Sequence, residues 1–202
     1  MWQWDLLFYL VVAVGVVLII ALGVLTHAGF FYTVRIRMGT PPVLPHHVAY
    51  ILRTGPYEKA GNTFYPLAKL APKSKLFGIY YDDPDVTPKD KLRYIVGCCL
   101  PDPLERGSSM NNLEAKLQSH GYQFYTFPSC DKVVITDYPW RNHLSIILAV
   151  FFVYPTLKKY MKEFSVEAGP CIEYYEKDFI RFILPLDNRE GFRVPEVSEQ
   201  DR

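Results

Sequence analysis

KVVITD at 132–137, RNHLSIILAVFFVYPTLKKYMKEF at 141–164, CIEYY at 171–175 and FIRFIL at 179–184 read as strand, helix, strand and strand. The short segments are rich in β-branched and aromatic residues, which suit a pleated, half-buried surface. The long middle segment carries apolar residues at helical spacing. Pro155 inside it predicts a break or restart, because proline lacks the N–H that a helix interior uses. Pro139 and Pro185 close the outer strands.

The same order stands earlier in the chain. Residues 48–53 form a strand ended by Gly55-Pro56. Residues 57–70 form a helix with Tyr57, Ala60, Phe64, Leu67 and Ala68 on one face, stopped by Pro72. Residues 76–81 and 91–100 are the next two strands, with Asp82-Asp83-Pro84 turning the chain between them. The letters also correspond. Tyr65-Pro66-Leu67 matches Tyr154-Pro155 with Leu157. Ile79-Tyr80-Tyr81-Asp82 matches Glu173-Tyr174-Tyr175-Glu176, and Arg93-Tyr94-Ile95-Val96 matches Arg181-Phe182-Ile183-Leu184. A short helix at 111–120 and a strand at 122–127 join the halves. The expected fold class is α+β: two β-α-β-β repeats with pseudo-two-fold symmetry and a groove between them. The domain is placed at 43–187. The polar tail at 188–202 is expected to be disordered beyond about Pro195.

Working outward, residues 26–42 read as a juxtamembrane and proline-rich spacer separating the fold from an uncharged apolar run at 6–25. At about 1.5 Å per residue this run spans roughly the 30 Å of a bilayer core, so it reads as a transmembrane helix. Trp2 and Trp4 flank one end, and Phe30, Phe31 and Tyr32 the other, as aromatic rings at headgroup depth do. A cleaved signal peptide fits less well, because residues 1–5 carry no Lys or Arg. Arg35 and Arg37 follow the helix and Asp5 precedes it. The positive-inside rule then puts the domain in the cytosol and leaves residues 1–5 as a lumenal stub.

Composition narrows the function. There are 22 basic and 21 acidic residues, for a net charge of +1. That balance gives no basic excess to displace counterions from phosphates, so no direct nucleic-acid binding is expected. The four cysteines, Cys98, Cys99, Cys130 and Cys171, form no CxxC pair and read as reduced thiols. Cys98 and Cys99 would point to opposite faces of a strand, so they do not pair with each other.

Gly55-Pro56-Tyr57, Tyr80-Tyr81-Asp82-Asp83-Pro84, Lys91-Leu92-Arg93, Val96-Gly97 and Ile172-Glu173-Tyr174-Tyr175 together resemble the gyrase-inhibitor-like domain, a relative of the SOUL haem-binding proteins. With the anchor, the proline spacer, Ser145-Ile146, Tyr154-Pro155-Thr156-Leu157 and Val194-Pro195-Glu196, the chain resembles the testis-expressed protein 264 family to about Pro195. That resemblance implies a single-pass protein of the endoplasmic reticulum acting as a reticulum-autophagy receptor and as an adaptor for an AAA unfoldase. The family's receptor binds the ubiquitin-like autophagy modifier through an aromatic-x-x-aliphatic motif on a long tail. Here the tail offers only Phe192-Arg193-Val194-Pro195, with Pro in the aliphatic slot, and Phe64-Tyr65-Pro66-Leu67 lies on a helix. The chain as far as Arg202 is therefore read as lacking that tail, and modifier binding is not assigned to it.

Glu173 matches the glutamate with which the bacterial effector-binding relatives pair lipophilic cations. Tyr57, Tyr81, Trp140 and Tyr175 are placed with it as candidate ligand-binding residues, offering charge and cation–π contact. No nucleophile–base–orienter set can be read, so an enzyme is not expected, although some fold relatives hydrolyse small molecules with Glu and Tyr. No cofactor or metal is expected. His46, His47, His120 and His143 sit in no haem-attachment motif. The acidic run Asp82, Asp83, Asp85 and Asp90 lacks the Gly and the closing Glu of a calcium loop and reads as a solvated turn.

Overall fold

A computed structural model describes residues 2–42, 44–101 and 108–201. The expected domain start at Val43, the side chain of Trp2 and the last residue, Arg202, lie outside what it describes.

The elements run α1 (Trp2–Ala28), β1 (Arg37–Gly39), β2 (His47–Thr54), α2 (Gly61–Leu70), β3 (Leu76–Tyr80), β4 (Arg93–Cys99), α3 (Ser108–Ser119), β5 (Gln123–Thr126), β6 (Val133–Pro139), α4 (His143–Glu163), β7 (Cys171–Tyr175), β8 (Phe179–Pro185) and α5 (Pro195–Gln200). The strands form one antiparallel sheet in the order β1-β6-β8-β7-β3-β4-β2-β5.

Because strand side chains alternate, the sheet buries two different sets. Tyr80, Tyr94, Val96, Cys98, Cys171, Glu173, Tyr175, Ile180 and Phe182 face the helices α2, α3 and α4. Tyr50, Phe77, Ile79, Ile95, Ile172, Tyr174 and Ile183 face the other way, under Phe127, Phe192, Val194 and Val197. Cys98 and Cys99 do lie on opposite faces: Cys99 Sγ meets the Tyr174 hydroxyl at 3.4 Å on the side away from the helices. All four cysteines are free thiols.

Several expectations change. The segment read as a spacer is part of the sheet: Arg37, Met38 and Gly39 pair with Ile135, Val134 and Val133. The Thr136 hydroxyl donates to the Arg35 carbonyl at 2.9 Å, and Tyr138 to that of Gly29 at 2.9 Å. Three exposed residues carry no legible alternation, so this strand leaves no pattern in the sequence.

Residues 188–201 are folded onto the domain rather than disordered. Phe192, Val194 and Val197 are fully buried, and the Tyr50 hydroxyl donates to Glu196 at 2.9 Å. Asp201 accepts from Arg93 and Arg193 at 2.6 Å each. A few apolar residues among many polar ones suffice to pin a short segment. Helix α4 passes through Pro155 without a break, and Ala68 is exposed rather than inward.

The letter match of Tyr80 with Tyr174 is out of step by one residue. Tyr80 shares its face with Tyr175, while Tyr174 points to the opposite face, since a shift of one residue turns every side chain over.

Helix α1 is long and apolar enough to cross a membrane, and it is exposed almost throughout. It begins at Trp2, so most of the expected stub belongs to it. Helix α4 is also long and apolar, but Leu148, Ala149, Val153 and Leu157 are buried against the sheet, which makes it a domain helix.

Candidate functional site

β3 and β7 pair at the centre of the sheet, with Gly78 opposite Glu173. Gly78 has no side chain where a Cβ would lie 3.1–3.2 Å from the Tyr80 and Phe64 rings. The missing side chain lets the Tyr80 and Phe64 rings close down on the sheet beside Glu173. Glu173 is only 6 % exposed. Its Oε1 accepts from the Tyr154 hydroxyl at 2.6 Å and its Oε2 from the Tyr175 hydroxyl at 2.7 Å. Tyr80, on the same face of the sheet, stands beside it.

Burial raises the Glu173 pKa above its ordinary value of 4.5, and the neighbouring phenols, Tyr154 and Tyr175 foremost, only partly offset this. The same burial, with the carboxylate charge beside them, lifts Tyr80, Tyr154 and Tyr175 well above 10. Cys171 on the same strand face is likewise pushed up by burial. The phenols are therefore donors to the carboxyl, and the site is an acid held in a ring of neutral hydroxyls. Phe64 packs on Tyr175 with centroids 4.8 Å apart, and Trp140 packs on the same ring at 5.3 Å.

Of the residues expected around Glu173, Tyr175 touches it and Trp140 stands one ring away. Tyr57 does not reach it: its hydroxyl donates to the Asp82 carbonyl at 2.9 Å and its ring rests on Tyr80 at 4.8 Å. Tyr81 does not belong to the site. It lies on the opposite face and donates to the Phe192 carbonyl at 3.2 Å, because odd and even positions of a strand part company.

Tyr80, Tyr154 and Phe64 join the site without having been expected there. Tyr80 is legible by parity from Glu173 once the pairing register is known, and Tyr154 only through the packing of α4.

The acidic turn is held by cations. Arg93 donates to both oxygens of Asp82 at 2.7 and 3.0 Å, and Lys158 bridges Asp83 and Asp85. Among the described residues no cluster of His, Cys, Asp and Glu could hold a metal ion. His46 and His47 are bonded through Nδ1 to Phe127 O and Thr126 Oγ1 on the far half of the sheet, away from Glu173, so they do not form a haem site with it.

No protein-family model matches the chain. The mouse (Mus musculus) testis-expressed protein 264 homolog is 35 % identical over 176 residues, 87 % of this chain. The human (Homo sapiens) testis-expressed protein 264 is 34 % identical over 190 residues, 93 % of this chain. The chain belongs to the testis-expressed protein 264 family. It spans 56 % and 60 % of the lengths of those two relatives.

Among solved structures, a hydrolase from Listeria innocua covers 78 % of the chain and 95 % of its own at 12 % identity and a TM-score of 0.45. The EcmrR C-terminal domain covers 76 % and 96 % at 11 % identity and a TM-score of 0.48. Within the testis-expressed protein 264 family, the aromatic-x-x-aliphatic candidates of this chain are both taken up in packing. Leu67 faces the core from α2, and Phe192 is buried against Phe127 with centroids 5.6 Å apart.

Proposed function

We propose that this chain is a single-pass receptor or adaptor of the endoplasmic reticulum membrane, with its N-terminal end in the lumen and the α+β domain in the cytosol. The observation that carries this is α1: an apolar helix of bilayer length, exposed almost throughout, leading directly into a closed domain. Membership of the testis-expressed protein 264 family and the position of Arg35 and Arg37 after the helix support it. The domain is a gyrase-inhibitor-like pair of β-α-β-β units about an axis between β3 and β7, a reading supported by the strand order and by the Gly78–Glu173 register.

The role follows from presentation. Partners such as an AAA unfoldase are met through the domain's outer surface at the membrane. A tag placed after Arg202 should be digested by protease added to intact microsomes, while the chain stays in the membrane through alkaline carbonate washing. A protected tag would reverse the orientation, and release by carbonate would remove the anchor.

Glu173 supports a second reading, a binding site for small lipophilic cations. A desolvated carboxyl ringed by Tyr80, Tyr154, Tyr175, Phe64 and Trp140 has the charge and the aromatic faces such a ligand needs. A cation would pair with the ionised form, so binding should weaken as pH falls. A fragment beginning at Gly29, which keeps β1, should bind lipophilic cationic dyes in a fluorescence titration. Glu173→Gln should bind about tenfold more weakly, roughly 1.4 kcal/mol for a lost charge-assisted contact. Equal binding by both proteins would end this reading.

A further inference from the structure

We propose that helix α4 lies in the surface of the same bilayer that α1 crosses, with Ile147, Val150, Phe151 and Phe31 in the acyl boundary and Lys159 and Lys162 at the phosphates. This rests on the reading of α1 as a membrane anchor.

The geometry begins where α1 ends. Up to Thr26 the helix is exposed almost throughout, but Ala28 is fully buried in the cluster that holds Leu148, Ala149 and Val153 of α4. Phe30 then packs edge-on against Phe152 of α4 with centroids 5.7 Å apart. The Tyr138 bond to the Gly29 carbonyl and the β1–β6 pairing hold this junction to the sheet. Helix α4 therefore meets α1 at the mouth of the span, at the level of the bilayer surface rather than along the span.

The side of α4 turned away from the sheet is apolar there. Ile147 is 53 % exposed, Val150 52 % and Phe151 70 %, at the i, i+3, i+4 spacing of one helix face. Phe31, 65 % exposed and 5.1 Å from Phe30, extends the patch across the junction. Single exposed apolar residues are ordinary, but a contiguous group of bulky ones marks a surface that something covers. Its continuity with the spanning helix identifies the cover as lipid. Further along the same stripe as Phe151 stand Pro155, Lys159 and Lys162, all exposed. Lysine stems lie along apolar surface and carry their charge out to headgroup phosphates. An apolar face followed by lysines is the pattern of a helix lying in the interface, buried roughly 5–10 Å into the headgroup boundary.

The test uses the full chain in vesicles of phosphatidylcholine and phosphatidylserine. An environment-sensitive fluorescent amino acid is placed at position 151, at 14 within α1, or at 124 on the far sheet edge, where Phe124 is also exposed. Lipids brominated in the acyl chains should quench position 151 several-fold more than position 124, and position 14 strongly. Ile147→Glu together with Lys159→Glu should abolish quenching at 151 and leave it at 14. Quenching at 14 with 151 no better than 124 would overturn the docking of α4 and leave the anchor intact. Absence of quenching at 14 would overturn the anchor and the docking together. Shielding of 151 from both brominated lipid and aqueous iodide would mean that a second copy covers the face, and would equally overturn the proposal.

Discussion

Replacing Glu173 by Leu should destabilise the domain by about 3 kcal/mol or more, because it strands buried phenol hydroxyls that have the carboxyl as their acceptor. Glu173→Gln keeps an acceptor and the shape, and should fall far short of that loss. The two variants also separate charge from shape in a pH series. The folded pKa of Glu173 is raised, so the folded chain holds the proton more tightly than the unfolded one does. Its contribution is complete below the ordinary value of 4.5 and is lost as pH rises through the raised folded value. Each tenfold difference in proton affinity between the folded and unfolded chains is worth about 1.4 kcal/mol. Denaturant midpoints of wild type should therefore fall over that window, relative to Glu173→Gln, which has no such proton. If the difference between the two proteins is flat with pH, the carboxyl is not desolvated as described.

Gly97→Ala should cost about 2–3 kcal/mol by overpacking. A Cβ at this position would lie 2.5 Å from Phe77 Cζ and 2.6 Å from the Ala49 carbonyl oxygen. The ring has little room, since Phe77 is fully buried against Phe127, and the carbonyl belongs to β2, paired across to β4. Gly61→Ala is the matched contrast. Nothing stands within 4 Å of its Cβ position, and it opens α2, so alanine there should stabilise by about 0.5–1 kcal/mol. Thermal melts of the two variants should move in opposite directions; a shared direction would mean that β4 yields more readily than its packing implies.

The parts of the fold that were legible are those with a period. Alternation and β-branched residues marked β2, β3, β4, β6, β7 and β8 to within a few residues, and the long apolar run marked α1. What escaped had no period to show. β1 has three residues, and the tail is fixed by Phe192, Val194 and Val197 scattered among charges. Pro155 suggested a break in α4 that the packing of Val153 and Leu157 does not allow.

At the site, Glu173 is legible through the resemblance that Ile172-Glu173-Tyr174-Tyr175 carries, and Tyr175 as one of the aromatics placed with it. Tyr81 was lost to strand parity, which a sequence cannot fix without knowing the pairing register. Tyr154 comes from a different element, and only the seating of α4 on the sheet brings its hydroxyl to the carboxyl.

The short strand β1 has a consequence for handling the protein away from lipid. It is the edge strand next to β6, and it covers Val133, Val134 and Ile135, the most apolar part of β6. Cutting the chain after the prolines to obtain a soluble fragment would strip that cover. It would leave a row of unpaired amide and carbonyl groups on an apolar edge, the template on which strands from other molecules add. Fragments that begin beyond Gly39 should thus aggregate edge to edge even when their cores are intact, whereas those that retain Arg37–Gly39 carry their own protection against it.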